Sequence, residues 1–429
     1  MASDGPQKTW LEKTRTSPKM VLFVASFALF VEEVLYGMLG PLIPDCPAGI
    51  KDEHVISTLY GAYALGLILS TPILGIVTDR LGRKQPMLIG AAVLTLSSLL
   101  FANGSNNEIM FIGRVLEGIG AACTWTAGMA LVAEYFIKDR VKAMGFAMFG
   151  ATTGSIVGPL LGGELFDWMG YTPTFYLAFA ALAISTVLTY FFLAPSVPQN
   201  SGPWSKTFVE IRGIISDRSV LTAAMAVALA AASWALMEPL FPIHVMKVGH
   251  ASTATVGVLV TISNLLYAFL APLVGFVSDR FGVRQTAALG LLMTALVLPL
   301  LALSPNIFAA TVVLCLITVS YAFTINPTSA ELGDAVDRRG SSSYAIAYAV
   351  YNLAYSLGMI AVDAYIEFVT DDSHKLELFQ ILAIMSVLFL ICIPIFTMKG
   401  KTKNSDAMPA AEPIPVLADS AEETLKESE

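Results

Sequence analysis

Twelve stretches of this chain are apolar over a length that crosses a bilayer, and this leaves few ways to fold. They lie at about 20–44, 56–78, 86–103, 108–133, 141–164, 173–194, 219–243, 252–277, 285–304, 307–330, 342–368 and 376–398. Hydrocarbon offers no water to a backbone N–H or C=O, so each stretch must bond its backbone to itself, as a helix does. Only 14% of residues are charged, against about 25% in a soluble domain. The expected fold is an all-α membrane protein. A net charge of −8 gives no footprint for nucleic acid.

The halves repeat. Pro72, Gly75, Asp79, Arg80, Gly82, Arg83 and Gln85 run through and past the end of the second stretch. Pro272, Gly275, Asp279, Arg280, Gly282, Arg284 and Gln285 do the same at the end of the eighth, 200 residues on, with Val283 where the first copy has Arg83. Each copy reads Gly-x-x-x-Asp-Arg-x-Gly between two apolar runs. A long-period repeat marks architecture. Gly82 and Gly282 permit a tight turn. Asp79 and Asp279 suit a helix N-terminus or an arginine, and the basic residues suit helix C-termini or carboxylates.

These residues resemble the loop between the second and third helices of the major facilitator superfamily, and its weaker echo between the eighth and ninth. The resemblance implies two pseudo-symmetric six-helix bundles latched at one face by these loops. Val283 implies a weaker second latch. The expected division is a tail at 1–19, bundles at 20–195 and 218–400, a Pro- and Ser-rich linker at 196–217, and a disordered acidic tail at 401–429.

With the N-terminus in the cytoplasm, the outer loops hold only Lys51, Lys247 and Lys375 among basic residues, and Arg114 lies within a span. This bias places both termini inside. Residues 1–19 show no cleavage-site pattern, so the first span is expected to do the targeting. The four histidines, His54, His244, His250 and His374, fall near the outer face and read as solvated loop residues. Cys123, Cys315 and Cys392 lie in spans and only Cys46 sits near a loop, so no disulfide framework is expected. The sequon at Asn103 sits too close to a helix end to favour glycosylation.

Ionisable groups inside apolar spans are expensive and mark function. Here they are Glu32, Glu33, Arg114, Glu117, Glu238 and Asp363, with Glu367 near an outer end. Arg114 and Glu117 stand three apart on one helical face, where an ion pair and a functional role are equally open. Glu32 and Glu238 have no basic neighbour in sequence. A carboxyl group in low dielectric can hold and release a proton near neutral pH, or balance a cation, but not both at once. That competition is antiport in its simplest form.

The fourth span, from Gly113 and Arg114 through Gly118 and Gly120, matches the superfamily pattern Arg-x-x-x-Gly-x-Gly-Ala, whose arginine is associated there with proton transfer. In the fifth span, Gly154, Gly158, Pro159, Gly162 and Gly163 match Gly-x-x-x-Gly-Pro-x-x-Gly-Gly, the mark of the superfamily's antiporter branch. Small-residue spacing alone means helix packing, and the Gly-Pro pair adds a place to bend. Leu236-Met-Glu238-Pro239-Leu-Phe-Pro242 is similar to the seventh helix of vesicular monoamine and acetylcholine transporters. Ser343-Tyr344-Ala345-Ile346-Ala347-Tyr348 is similar to their eleventh, and Glu32 stands where they carry an aspartate that meets the amine. Tyr348 departs from the aspartate of that pattern, the tenth helix around Asn326 and Pro327 lacks their acid, and Glu33 replaces an amide. The substrate pocket is therefore expected to differ.

Tyr344, Tyr348, Tyr351 and Tyr355 follow helical spacing. With Asn264, Tyr267 and Asn352 they are candidates to line a cavity for an amphipathic ligand, or else pack between helices. The functional expectation is a proton-coupled exporter of small amphipathic or cationic molecules, drug- or metabolite-like. An importer or a non-transporting receptor on the same fold is the alternative. No catalytic residue, metal site or cofactor is expected, since the proton gradient supplies the energy. Intramembrane enzyme motifs such as Gly-x-Ser-x-Gly or His-Glu-x-x-His are absent from the sequence. Expected partners are the small-molecule substrate, protons and the lipid bilayer, with a monomer as the working unit. The favoured location is the plasma membrane, with a vacuolar or vesicular membrane as the alternative.

Overall fold

The structure is a computed structural model that describes residues 14–15, 17–43, 46–50, 53–194, 204–249, 253–370 and 378–397. The first half holds α1 (Pro18–Leu42), α2 (Glu53–Leu81), α3 (Lys84–Asn103), α4 (Asn107–Tyr135), α5 (Arg140–Met169) and α6 (Tyr171–Phe192). Next come α7 (Trp204–Ile215) and α8 (Arg218–Gly249), then α9 (Thr253–Phe281), α10 (Val283–Val297) and the one-turn α11 (Leu300–Leu303). α12 (Ile307–Arg338), α13 (Tyr344–Thr370) and α14 (Leu378–Thr397) complete the second half. Eleven of the described helices are long and apolar enough to cross a membrane. The twelfth span is carried by α14, whose described apolar stretch, Leu382–Ile391, is shorter.

Local chemistry sets the boundaries, and it repeats at the same offset of 200. Asn106 caps α4, its side chain accepting from the Ile109 amide at 2.8 Å. Asn306 caps α12 in the same way, accepting from the Ala309 amide at 2.9 Å. Gly82 and Gly282 take φ of 82° and 89°, a left-handed turn that a side chain would strain. Pro299 separates α10 from α11.

The linker is not irregular throughout. It contains the amphipathic α7, with Ile214 buried while Phe208 and Ile215 remain exposed. The apolar period of 3.6 from Phe208 through Ile211 to Ile215 is the signal that betrays it.

Apolar packing divides into three main bodies. One core joins both halves: Val21, Ala28 and Leu29 of α1 and Ala147 of α5 share it with Val220 and Val227 of α8 and Ala345 of α13. A second core belongs to the first half alone, around Leu39, Phe101 and Phe175. A third belongs to the second half alone, around Leu236, Phe241 and Phe389. The shared core lies toward the face that carries the Gly82 and Gly282 turns, here termed the motif face. Toward the opposite face the halves keep separate interiors. The molecule is thus closed at the motif face.

Two seams make that closure, α2 against α13 and α5 against α9. Each seam turns on a glycine. A Cβ on Gly75 would sit 2.7 Å from the Ala349 Cβ. A Cβ on Gly145 would sit 2.3 Å from the Ala271 carbonyl oxygen, closer than atoms can approach. Gly145 gave no signal in the sequence beyond its small size. Gly145→Val is expected to wedge α5 from α9 and lower transport about tenfold or more at normal expression, since overpacking costs ~1–3 kcal/mol. Flux per folded molecule in liposomes checks this. Unchanged flux would mean that the α5–α9 approach is not needed for turnover.

Candidate functional site

The acids of the first half converge where α1, α2 and α4 meet. Glu32 is buried, about one hundredth exposed. The Trp125 Nε1–H donates to its Oε2 at 2.8 Å, and the Tyr63 hydroxyl donates to its Oε1 at 3.2 Å. Glu32 therefore lacks a basic neighbour in sequence but does not stand alone in space. Adjacent Glu33 points a helical step away, toward α5, where a Cβ on Gly154 would meet its Cβ at 2.8 Å. Arg114 and Glu117 form a buried ion pair at 2.8 Å. The Arg114 guanidinium also stacks over the Tyr36 ring at 5.4 Å, and Tyr36 lies 4.7 Å from Tyr63. One continuous path of contacts thus runs Glu32, Tyr63, Tyr36, Arg114, Glu117.

The second half answers with aromatic and neutral polar groups. Trp234 meets Tyr321 at 5.6 Å, Tyr321 meets Tyr267 at 5.4 Å, and the Tyr321 hydroxyl donates to that of Tyr355 at 3.4 Å. The Tyr267 hydroxyl donates to Asn326 at 3.2 Å. Asn264 is half-buried on α9. Of the candidate cavity group, Tyr348 is fully buried and donates to the Ser329 carbonyl at 2.8 Å, so it packs between α12 and α13 in this closed arrangement. Tyr351 is also buried, 6.4 Å from Tyr348. Asn352 donates to the Thr126 hydroxyl at 3.1 Å, across the two halves. α4 therefore presents Trp125 to Glu32 and the next residue, Thr126, to the opposite bundle.

The two motif loops are built unequally. Asp79 is buried and accepts from the Ala345 and Ile346 amides at 3.1 Å each, at the N-terminus of α13. Arg83 pairs with Asp79, with Glu134 at 3.1 Å, and donates to the Ser342 carbonyl at 2.9 Å. Its guanidinium closes the loop on itself and on the other half. In the second copy Asp279 is half-exposed and pairs with Lys142 of α5 at 2.7 Å. Arg284, one place beyond Val283, pairs with Glu331 at 2.8 Å inside its own half. The Asp279–Lys142 pair crosses between the halves, and Arg140 adds a more buried cross-half tie, pairing with Asp334 and, at 2.8 Å, with Asp337. The repeat pointed to the loops but not to Glu134, Arg140, Asp334 or Asp337, which lie far from them in sequence. Arg80 and Arg280 end α2 and α9, Arg280 stacking 6.0 Å from Phe281.

The glycines of α5 face α1 of their own bundle. Added Cβ atoms on Gly154, Gly158 and Gly162 would meet the carbonyl oxygens of Phe30, Val34 and Met38 at 2.3, 2.6 and 2.5 Å. Gly150 extends the ladder to Ser26 at 2.6 Å. Gly163 faces open space. Pro159 lies within the continuous α5 and packs on Gly37. This run sets the approach of two helices in one bundle, while α5 meets the other bundle through Gly145.

Other expectations are corrected or fall outside. His244 is not a solvated loop residue: it is buried near the end of α8, its Nε2 2.8 Å from the Ser304 hydroxyl. Cys46, Cys123 and Cys315 are free. Glu238 lies on α8, and Asp363 and Glu367 lie on α13, but their side chains are outside the described set, as are those of His54, His250, His374 and Cys392. Among the described residues no cluster suits a metal ion.

Paired helical halves, a doubled loop at one face and acids buried between spans define a transporter scaffold, and the model of one family matches residues 25–232 and again 223–420. The chain belongs to the Major Facilitator Superfamily. It is 33% identical over 210 residues to the synaptic vesicular amine transporter of Mus musculus, across 48% of this chain and 40% of that one. It is 33% identical over 190 residues to the probable vesicular acetylcholine transporter-B of Danio rerio, across 42% of this chain and 38% of that one. The aligned part spans about two fifths of the length of these relatives. Among solved structures, the E. coli fucose:proton symporter superposes with a TM-score of 0.72 at 15% identity, covering 90% of this chain and all of that one. The human organic anion transporter MFSD10 gives 0.67 at 15% identity, covering 88% and 99%. The fold is that of Major Facilitator Superfamily transporters.

Proposed function

We propose that this transporter is a proton-coupled antiporter that exports small amphipathic or cationic organic molecules by alternating access. The motif face is cytoplasmic and the structure is its outward-facing state. The observation that carries the reading is Glu32, a carboxyl buried between spans and held by Trp125 and Tyr63. Desolvation makes such a group bind a proton or a cation, one at a time. α4 links the exchange to closure, because Trp125 senses Glu32 while Thr126 holds Asn352 of the other bundle. The names of the relatives support an amine-like substrate, and the cluster of Trp234, Tyr321 and Tyr355 offers its apolar part a surface.

The halves, about 20–195 and 218–400, rock as units joined by the linker at 196–217, with the monomer as the working unit. The membrane is the plasma membrane or, as the relatives' names suggest, that of a vesicle. The test is flux in liposomes under an imposed pH gradient. Organic cations should move against the proton flow and should acidify the compartment they leave. Movement of substrate with the protons would make the protein a symporter instead.

A further inference from the structure

We propose that Ser341 is a phosphorylation site for an arginine-directed protein kinase, and that its modification loosens the tie between linker helix α7 and the motif face. This rests on the cytoplasmic placement of that face. α12 runs out through Asp337, Arg338, Arg339 and Gly340 to Ser341. Two guanidinium groups therefore stand three and two residues before the hydroxyl. An acidic groove on a kinase recognises such a pair by charge-assisted hydrogen bonds. Arg338, Arg339 and Gly340 are exposed and Ser341 is half-exposed. Gly340, at φ 62°, turns the chain at the tip of the loop. Ser343, by contrast, is buried.

The Ser341 hydroxyl now donates to Glu210 of α7. Arg339 adds a second tie, lying against Gly213 and pairing with Asp217 at 3.5 Å. In the transfer, the Ser341 oxygen forms a bond to the γ-phosphorus of a nucleoside triphosphate. The bond from that phosphorus to the bridging oxygen breaks, the diphosphate leaves, and the hydroxyl proton passes to the kinase's base. The product replaces a donor by an anion of about −1.5 to −2 beside the Glu210 carboxylate. Glu210 is repelled, and the phosphate competes with Asp217 for Arg339. Both ties of α7 weaken. The next residue, Ser342, holds Arg83 through its carbonyl, so movement of this loop reaches the latch directly.

The test uses the full chain in lipid nanodiscs, an arginine-directed kinase, labelled ATP and site mapping by mass spectrometry. Wild type should take about one phosphate per chain, at Ser341. Ser341→Ala should lose the label and Ser341→Thr should keep it. Arg338→Ala should cut the initial rate about tenfold or more, the loss of one charge-assisted contact. The phosphorylated protein should differ in turnover by about fivefold, the scale of one lost hydrogen bond.

Label on other residues in place of Ser341 overturns the proposal. So does no label on the chain while an Arg-Arg-Gly-Ser-Ser-Ser control peptide is modified. Unchanged turnover overturns its second clause. An epitope inserted in the α12–α13 loop reports the topology separately. A loop found outside the cell sinks the orientation and this proposal together. A loop found inside, with Ser341 unmodified, sinks this proposal alone.

Discussion

Glu32→Gln is expected to abolish transport driven by a pH gradient, by at least about a hundredfold, the scale of losing an essential proton-transfer group. The amide keeps the size of the side chain: its oxygen can accept from Trp125, and its NH2 can donate to the Tyr63 hydroxyl, which turns to accept. It cannot take up or release a proton. Packing around α1, α2 and α4 should therefore survive, and with it the exchange of substrate for substrate across a membrane with no gradient. Counterflow and pH-jump flux, measured side by side in liposomes, separate the two. Wild-type gradient-driven flux in the mutant would remove Glu32 as the coupling group and direct attention to Glu33, Glu117 and Asp363. Glu238→Gln, tested in the same way, reports whether the second half supplies a coupling acid of its own.

Asp79→Asn should lower the transport rate about 10- to 100-fold while substrate affinity changes by only a few-fold. The carboxylate does two things at once: it pairs with Arg83 and it accepts from the first amides of α13. Removing one partner of a buried pair is strongly destabilising, on the order of 3–5 kcal/mol in a closed interior. Glu134 and the Ser342 carbonyl still hold Arg83, so a loss of about 1.4–2.8 kcal/mol in the closed state is the expected remainder, equivalent to that rate change. The pocket lies elsewhere, so binding is spared. Ligand affinity falling as steeply as flux, at normal expression, would place Asp79 in the pocket's support instead. The half-exposed Asp279 should be more forgiving, because its bond to Lys142 is open to water.

The spans and the doubled loop were legible because both are local. Length and apolarity identify a span, and Gly82 needs no partner to declare a turn. The partners of Glu32 were not legible. Trp125 stands 93 residues away and reads as one more aromatic in an apolar run. Tyr348 was ambiguous: helical spacing left a cavity wall and packing between helices equally open, and the structure buries it with its hydroxyl on the Ser329 carbonyl. His244 near a helix end looked wet for the same reason, until Ser304 was brought to it by the fold. The Arg83 to Val283 change signalled an asymmetric latch, yet not that Arg140 and Lys142 would carry the cross-half bonds on that side.

The seam between the halves also sets a waiting time. Arg140 is made 194 residues before Asp334 and 197 before Asp337. At ~5–20 residues per second of synthesis, the first bundle waits about 10–40 s for its partner. During that interval the surface meant for the shared core has no protein against it. At the close approaches of the two seams it presents Gly75 and Gly145, which carry no polar side chain. Lipid can cover them at little expense. The charged members, Arg83 and Arg140, sit at the helix ends, where headgroups and water can hold them. A nascent half of this protein is therefore a tolerable guest in the membrane. A seam built from buried charge at the same depth would have been a target for quality control before its second half was made.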